Sequence, residues 1–521
     1  MSLIPLMGLL ELETVLDSFA AVVASALPRI YALIAMGLFK NPIPIPLAKL
    51  DILKPFGVNM TNRTQTPTLA SQEPMQVARY LLSTRFSTPN NRNGLWFWRG
   101  NFYEWYGERW QQRDREWVES AIWVSLENTT FSQASANGTQ QVRYAPNIPK
   151  VQGVMRALQA VQTLPHEKSP VWLTAPQTKT TRTLISFADT ILDAKTGDRF
   201  SRDETFFDPN VIPCNFEPGA KCPTWHRCLS EWSGGDPEWS NLLQRMFGYC
   251  LLPHRDYAKW FLMYGKIRGG KGTIMSILKA LLGEGYMGTC LEDIAGQFGL
   301  WGIEQARVMA INEVSEISNR EGEAACRVLK SIVGRDPISI NRKFEQPLRN
   351  VVVDAVPIMQ SNEIPRLPNK GLGLSGKMVL LPFTVSFAGR ENYRLAEQLL
   401  AELPGIAYWA WQGAKAIETE SEPKKKFPMP ERSLALIDEY HTVNNPIDEF
   451  LGSCFKPKEG GFVTSDAVYG KWEDWSKGLR VPPLSKNQLV YRVIEGSTWD
   501  LRRARIGGGG KRGIRGLSVK G

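Results

Sequence analysis

The sequence predicts an α/β protein: a largely parallel strand–helix layer, an α+β segment ahead of it and a small basic unit behind it. Three observations predict this. The apolar run Trp260-Phe261-Leu262-Met263-Tyr264 leads into Gly265-Lys266-Ile267-Arg268-Gly269-Gly270-Lys271-Gly272-Thr273, and Ile274 to Leu282 then carries helical spacing up to Gly283. Strand-like and helical patterns go on alternating to about residue 415, as in an α/β layer with a mostly parallel sheet. Beyond a break at Ser421-Glu422-Pro423-Lys424-Lys425-Lys426, the stretch 432–521 reads as three short helices followed by two basic strands.

The elements follow in order. Leu3 to Leu38 is strongly apolar, but Glu11, Glu13, Asp17, Pro28 and Arg29 interrupt it. It lacks the roughly 20 uninterrupted apolar residues of a membrane span, and the basic start of a secretory signal. Amphipathic helices packed on the body or on a neighbouring subunit are expected, with a start codon placed too far upstream as the alternative. Residues 39–75, typified by Asn41-Pro42-Ile43-Pro44-Ile45-Pro46, read as a linker.

The block Leu95 to Trp110 is dense in aromatics. Gly100-Asn101 between two partly alternating runs signals a β-hairpin, and Gly107-Glu108 offers a second turn. Aromatics beside arginine suit base stacking; the alternation suits a small β-meander core, and the pattern favours the core. Glu116 to Leu126, Val151 to Leu164 and Asn241 to Leu251 read as helices.

With 43% hydrophobic and 22% charged residues the chain has a globular composition, and 521 residues exceed one ordinary core. The net charge of +10 points to a polyanionic partner. Seven cysteines form no regular framework, which speaks for a reducing, cytoplasmic setting. Cys214, Cys222, His226 and Cys228 lie close together in a spacing that matches no common zinc finger, so packed side chains are expected there.

The run Gly265 to Thr273 reads as a phosphate-binding loop. Gly265, Gly269 and Gly270 let backbone N–H groups turn inward, the following helix adds its positive end, and Lys271 reaches the outer phosphates. Magnesium is expected with the phosphates. The hydroxyl that binds it normally follows the lysine directly; here Gly272 stands there and Thr273 comes next. Either Thr273 supplies the ligand from a shifted position or the metal is held from elsewhere. The competing reading is a glycine-rich β–α turn with an exposed lysine.

Downstream, Val308-Met309-Ala310-Ile311 is a buried-strand run ending in Asn312-Glu313. Glu313 is placed to hold magnesium or polarise an attacking water, with Glu316 as a second choice. Val356-Pro357-Ile358-Met359-Gln360 leads to Ser361-Asn362-Glu363, where Asn362 can orient a water against the terminal phosphate or simply form an Asx-turn. Between them, Leu329 to Phe344 reads as a helix end, a turn and a short strand tipped with Arg342 and Lys343: a strand-gripping hairpin or a solvated basic loop.

In the last unit, Pro446 to Phe455, Ser465 to Gly478 and Ser485 to Glu495 read as helices, with Ser465 and Ser485 as N-caps. Two basic strands flank Gly507–Gly510, which predicts a winged helix-turn-helix. Its recognition helix carries Lys486, Asn487, Gln488 and Arg492, and Arg502, Arg503, Arg505, Lys511 and Arg512 line the strands and wing. A disordered basic tail is the alternative.

Taken together these motifs resemble the superfamily 3 helicase module of phage and plasmid primase–helicases, the poxvirus-like group. They are Gly270-Lys271-Gly272-Thr273, the strand ending in Glu313, Gly334-Arg335-Asp336-Pro337 before a basic strand, and Ser361-Asn362-Glu363-Ile364-Pro365. Leu381-Pro382-Phe383, Phe387 to Asn392 and Glu402 to Ala410 resemble the end of that module, and the hairpin block with Pro213–Asp236 resembles its N-terminal companion domain. The likeness covers about residues 80–520. With the readings above it divides the chain into an apolar helical extension and linker (1–75), a companion domain of primase–helicase type (76–240), an AAA+-like P-loop ATPase core (241–418) and a winged helix (432–521).

The resemblance further implies an ATP- and Mg2+-dependent helicase that forms a homo-hexameric ring on single-stranded DNA in a bacterial host's cytoplasm. An arginine that reaches the neighbour's ATP in that family is matched by Lys377, with Arg366 and Arg390 as substitutes. The first 80 residues are too few and too apolar for a primase, so a separate primase chain is expected. The alternatives are an origin-binding initiator without processive unwinding, and a non-catalytic DNA-binding regulator.

Overall fold

The computed structural model describes residues 68–521, apart from 136–137, 165–168, 175–179, 313–318, 344, 366, 368–373, 445, 478–482, 498, 507–509 and 521. The expectations for Leu3–Leu38 and for the linker up to residue 67 lie outside the described residues.

The aromatic block is a three-stranded antiparallel sheet, Leu95–Trp98, Asn101–Tyr106 and Arg109–Arg113. Its first turn is Arg99-Gly100, not Gly100-Asn101. Both turn residues have positive φ (48° and 86°), as a tight I′ hairpin demands, and Asn101 already pairs with Trp98. The second turn falls at Gly107-Glu108 as expected, again with both φ positive. Trp98, Tyr103 and Trp110 are buried around Phe207, with ring centroids 5.4–5.7 Å apart. These rings form the core and are not available to stack on bases. Helices Pro74–Ser83, Arg115–Leu126 and Ile148–Gln162 close the other face through Leu81, Ile122 and Leu158. Asp114 and Asn147 cap the last two helices by accepting from Trp117 N and Lys150 N.

The parallel layer consists of β1 (Trp260–Gly265), β2 (Tyr286–Thr289), β3 (Val308–Ile311), β4 (Val356–Ser361) and β5 (Met378–Phe383), in the order β2-β3-β4-β1-β5. The side chains alternate between two cores. Phe261, Met263, Val308, Ala310, Ile358 and Leu381 face one; Trp260, Leu262, Met309, Ile311, Met359 and Leu380 face the other. A strand buried on both faces needs a continuous apolar run, which is why no polar alternation marks these segments. Truncating Phe261, which is fully buried, to alanine would cost about 3–5 kcal/mol.

Helices α1 (Pro223–Ser233), α2 (Pro237–Leu251), α3 (Lys271–Leu282) and a later one, Leu403–Thr419, fill the first core. Helix Asn319–Gly334 fills the second. The terminal unit was expected to begin at residue 432, where a helix, Glu431–Asn444, forms. This helix packs instead on the second core through Tyr440, Leu436 and Ile437.

The C-terminal core begins at Ile447. It holds helices Ile447–Cys454, Ser465–Ser476 and α4 (Lys486–Gly496), and a three-stranded antiparallel sheet of β6 (Phe455–Thr464), β7 (Arg502–Ile506) and β8 (Lys511–Val519), with β8 central. β6 was not expected. Its middle, Lys456 to Gly461, is polar and glycine-rich, so pairing with β8 rather than side-chain pattern makes it a strand. Ser485 caps α4 in a full capping box with Gln488. The expected Ser465 cap is taken by Thr464, whose hydroxyl accepts from Ala467 N. Most of the glycine turn, 507–509, lies outside the described residues. Among the described residues no helix is long and apolar enough to cross a membrane.

Candidate functional site

The C-terminal ends of the parallel strands open into a cleft of about 790 Å³. β1 lies between β4 and β5, so the chain leaves it toward one edge of the sheet and later crosses to the other. Ligands bind at such a switch point, outside the carboxyl ends of the strands. Gly265, Gly269, Gly270, Lys271, Gly272 and Thr273 bend from β1 into α3 along this cleft, with Gly270 as the helix N-cap.

Two glycines are required there. Gly265 sits at φ 135°, where a Cβ would fall on the Phe383 carbonyl. Gly270 sits at φ 98°, where a Cβ would enter the Trp232 indole. Trp232, on α1, thus backs the loop from a distant part of the chain. At Gly272, by contrast, a Cβ would meet nothing within 4 Å. Packing among the described residues does not explain why the usual hydroxyl is missing there.

The Lys271 side chain folds back into the loop. Its Nζ donates to Gly265 O at 2.7 Å, Lys266 O at 2.9 Å and Asn362 Oδ1 at 2.8 Å. The residue is 8% exposed, and burial pushes its pKa down. All three partners are neutral oxygens. Among the described residues no carboxylate pairs with it; a buried cation without a counter-charge favours the arrival of an anion, and the N-terminus of α3 adds further positive potential. The competing reading, a turn with an exposed lysine, does not fit this geometry.

The neighbouring strand ends converge on the same mouth. Asn362 follows β4, and Gln360 Nε2 donates to Asn312 Oδ1 at 2.7 Å, tying β4 to the end of β3. Thr273 is half-buried in the cleft. Glu313 and Glu316, directly beyond Asn312, lie outside the described residues. Arg227, Arg268 and Arg390 also line the cleft. Sequence reasoning singled out only Arg390, as a trans residue. Arg268, inside the motif at φ 58°, was the available signal for a second cation.

Lys377 stands elsewhere. It precedes β5, whose Met378 pairs with Trp260 while Phe383 pairs with Gly265. It therefore sits at the opposite end of the sheet from its own loop, roughly 20 Å away along the strand. Its charge, after burial, helps push the Lys259 pKa down. Lys377 therefore does not reach its own loop, whereas Arg390 lines its own cleft. Arg366 lies outside the described residues.

The basic hairpin forms between Ile338–Ile340 and Leu348–Val351. Arg342 does not project from it. Its Nη1 pairs with Glu345 at 2.6 Å and its Nη2 donates to Gln346 O at 3.0 Å, against the Arg99-Gly100 turn. Lys343 is exposed.

In the C-terminal unit, Arg503, Arg505 and Arg512 line a groove of about 420 Å³ with Asn487 of α4. Arg505 lies directly opposite Arg512, and Arg502 opposite Arg515. Like charges in cross-strand pairs are destabilising unless an anion screens them. Lys486 is paired with Asp466 (2.6 Å) and Arg502 with Asp500 (3.3 Å). Among the described residues Arg503, Arg505 and Arg512 have no acidic partner. Lys511 is exposed and Arg492 half-buried.

Comparison with known proteins follows these blocks. Residues 96–234 match the family model described as D5 N terminal like. Residues 263–373 match one described as a family of unknown function, DUF5906. The first falls on the block that resembles the companion domain of primase–helicases and supports that broader kinship. An uncharacterized mitochondrial protein, ymf21 of Marchantia polymorpha, is 26% identical over 129 residues, 22% of this chain and 71% of that protein. Among solved structures, two apo forms of the NrS-1 C terminal region are similar to it. One has a TM-score of 0.44 at 13% identity over 85% of this chain; the other has 0.45 at 12% over 86%. Both are covered over 100% of their length.

Proposed function

We propose that the chain is an ATP-dependent DNA helicase, an AAA+-like P-loop motor of the superfamily 3 kind, working in the replication of a phage, prophage or plasmid in a bacterial cytoplasm. The observation that carries this is Lys271: a buried ammonium among neutral oxygens, at the N-terminus of α3, in the mouth of a parallel sheet. A triphosphate suits that cradle in charge and in its need for glycine at Gly265 and Gly270. ATP held there supplies a terminal phosphoryl group whose transfer to water releases free energy.

The chain's own groups divide the work. Lys271 and the backbone N–H groups around Gly269 and Gly270 neutralise the phosphates. Thr273 and Glu313 would hold magnesium, and Glu313 would draw the proton from the attacking water. Asn362, already bonded to Lys271, would orient that water. Lys377 would act on a neighbouring subunit, which requires a ring, a homo-hexamer in this reading. Lys343, with Arg342 once it is released from Glu345, would grip single-stranded DNA. The C-terminal unit, read as a winged helix, would add Arg503, Arg505 and Arg512 as phosphate contacts.

A second reading is an ATP-driven origin-binding remodeller without processive unwinding. It is favoured by Lys377, since lysine offers charge but no bidentate fork. A strand-displacement assay with ATP separates the two: unwinding of a forked duplex supports the helicase, and ATP-dependent DNA binding without displacement supports the remodeller.

A further inference from the structure

The cleft is lined by the polar side chains Lys271, Thr273 and Asn362 and by the apolar or aromatic ones Ile267, Phe387 and Tyr393. The segment that brings Phe387 and Tyr393 is tied to the loop. Ser386 Oγ donates to Ile267 O at 2.9 Å, and Phe387 N donates to Arg268 O at 3.0 Å. Arg268 Nε lies 3.8 Å from Glu391 Oε1. The segment carrying Phe387 and Tyr393 is thus fixed to the phosphate loop itself.

Two side chains of this wall are unusually bare: Tyr393 is 93% exposed and Ile267 65%. Single exposed apolar residues are ordinary. Here two line the cleft of one glycine-rich loop, and Arg268, next to Ile267 in that loop, holds a left-handed backbone, φ 58°. A non-glycine residue in that conformation inside a ligand loop signals a constraint set by what the loop holds.

We infer that Tyr393, which lines the cleft together with Ile267 and Phe387, is the stacking shelf for the base of the nucleotide whose phosphates the loop holds, and that it selects bases by stacking area rather than by their edges. This rests on the proposed nucleotide reading. The two polar side chains that precede Tyr393 in the chain already have partners. The Asn392 amide donates to Gln398 Oε1 at 3.1 Å, its carbonyl oxygen accepts from Arg394 N at 3.1 Å, and Glu391 faces Arg268. Stacking tolerates any base because every base has a π-face. Purines, with the larger face, gain more than pyrimidines.

The test measures turnover of ATP, GTP, CTP and UTP by the full chain, by Tyr393→Ala, Tyr393→Phe and Lys271→Ala, with inorganic tripolyphosphate as a competitor that carries no base. Tyr393 is so exposed that neither substitution removes packing. The inference expects the KM for ATP to rise roughly ten- to a hundredfold in Tyr393→Ala, the range of one lost stack, with kcat unchanged. Tyr393→Phe restores the wild-type KM. Inhibition by tripolyphosphate is the same in wild type and Tyr393→Ala. ATP and GTP stay within about threefold of each other, and both exceed CTP and UTP.

A wild-type KM in Tyr393→Ala, with turnover still lost in Lys271→Ala, overturns the shelf and leaves the phosphate site standing. Strong preference for ATP over GTP overturns selection by area. Undiminished turnover in Lys271→Ala, with no competition by tripolyphosphate, removes the phosphate site and the shelf with it.

Discussion

Lys271 Nζ donates to Asn362 Oδ1 across 2.8 Å, joining the loop after β1 to the end of β4. The two positions lie far apart in the chain and on adjacent strands of one sheet. Whatever draws Lys271 out toward an anion also frees the Asn362 carbonyl oxygen. In the proposed function this one hydrogen bond would couple nucleotide binding to water orientation.

Asn362→Ala removes that coupling without touching the loop backbone. ATP turnover should drop roughly 10–100-fold in kcat, the usual cost of a misplaced reacting group, while KM changes little. Steady-state kinetics decide; equal losses in kcat and in affinity would make Asn362 a binding residue instead.

Gly270→Ala should be worse than its size suggests. The added methyl meets the Trp232 indole at φ 98°, a conformation costing a non-glycine residue about 1–3 kcal/mol. A lower midpoint in thermal unfolding together with lost nucleotide binding is expected. The companion change Gly272→Ser, at a site where a Cβ meets nothing within 4 Å, should leave the unfolding free energy within about 0.5 kcal/mol of wild type.

Replacing Arg503, Arg505 and Arg512 with serine should weaken DNA binding and flatten its salt dependence. Each lost phosphate contact reduces the slope of log K against log salt by about 0.7–0.9. The same change relieves the Arg505–Arg512 cross-strand repulsion, so the variant should be no less stable than wild type. DNA titrations at several salt concentrations, with thermal unfolding beside them, read both effects. An unchanged slope would contradict a DNA-contact role for this groove.

Glu418 anchors the end of the helix Leu403–Thr419. Its carboxylate meets His254 Nε2 at 2.9 Å, accepts from Tyr257 Oη at 2.7 Å, and pairs with Arg182 at 3.0 Å. Burial alone would raise its pKa; the hydrogen bonds from His254 and Tyr257, with the charge of Arg182, outweigh that and hold it at about 2. A carboxyl depressed on folding stabilises the protein above its unfolded value of 4.5, and loses that contribution as pH falls toward the folded value. Glu418→Gln should therefore lower the melting temperature at pH 7, and the gap from wild type should narrow between about pH 4.5 and 2. A gap constant across that range would contradict the linkage.

The strand–loop–helix at residues 260–282 was legible because each part is local: a bulky apolar run, glycines, then helical spacing. The aromatic meander was legible from its turns, although the first turn sits one residue earlier because I′ geometry needs positive φ at both Arg99 and Gly100. What escaped depends on distant partners. Trp232 behind Gly270, and Gly100 over Arg342, are contacts between segments with no shared local pattern. β6 exists through its pairing with β8. The seat of Lys377 at the far end of β5 follows only once strand direction is known.

The most direct test of the central claim is ATP turnover with and without single-stranded DNA, on wild type and Lys271→Ala side by side. The account predicts turnover that DNA stimulates in wild type and that Lys271→Ala abolishes while its circular dichroism and melting curve stay native. Equal turnover in the two proteins, or a folded wild type that neither binds nor hydrolyses ATP, would contradict it.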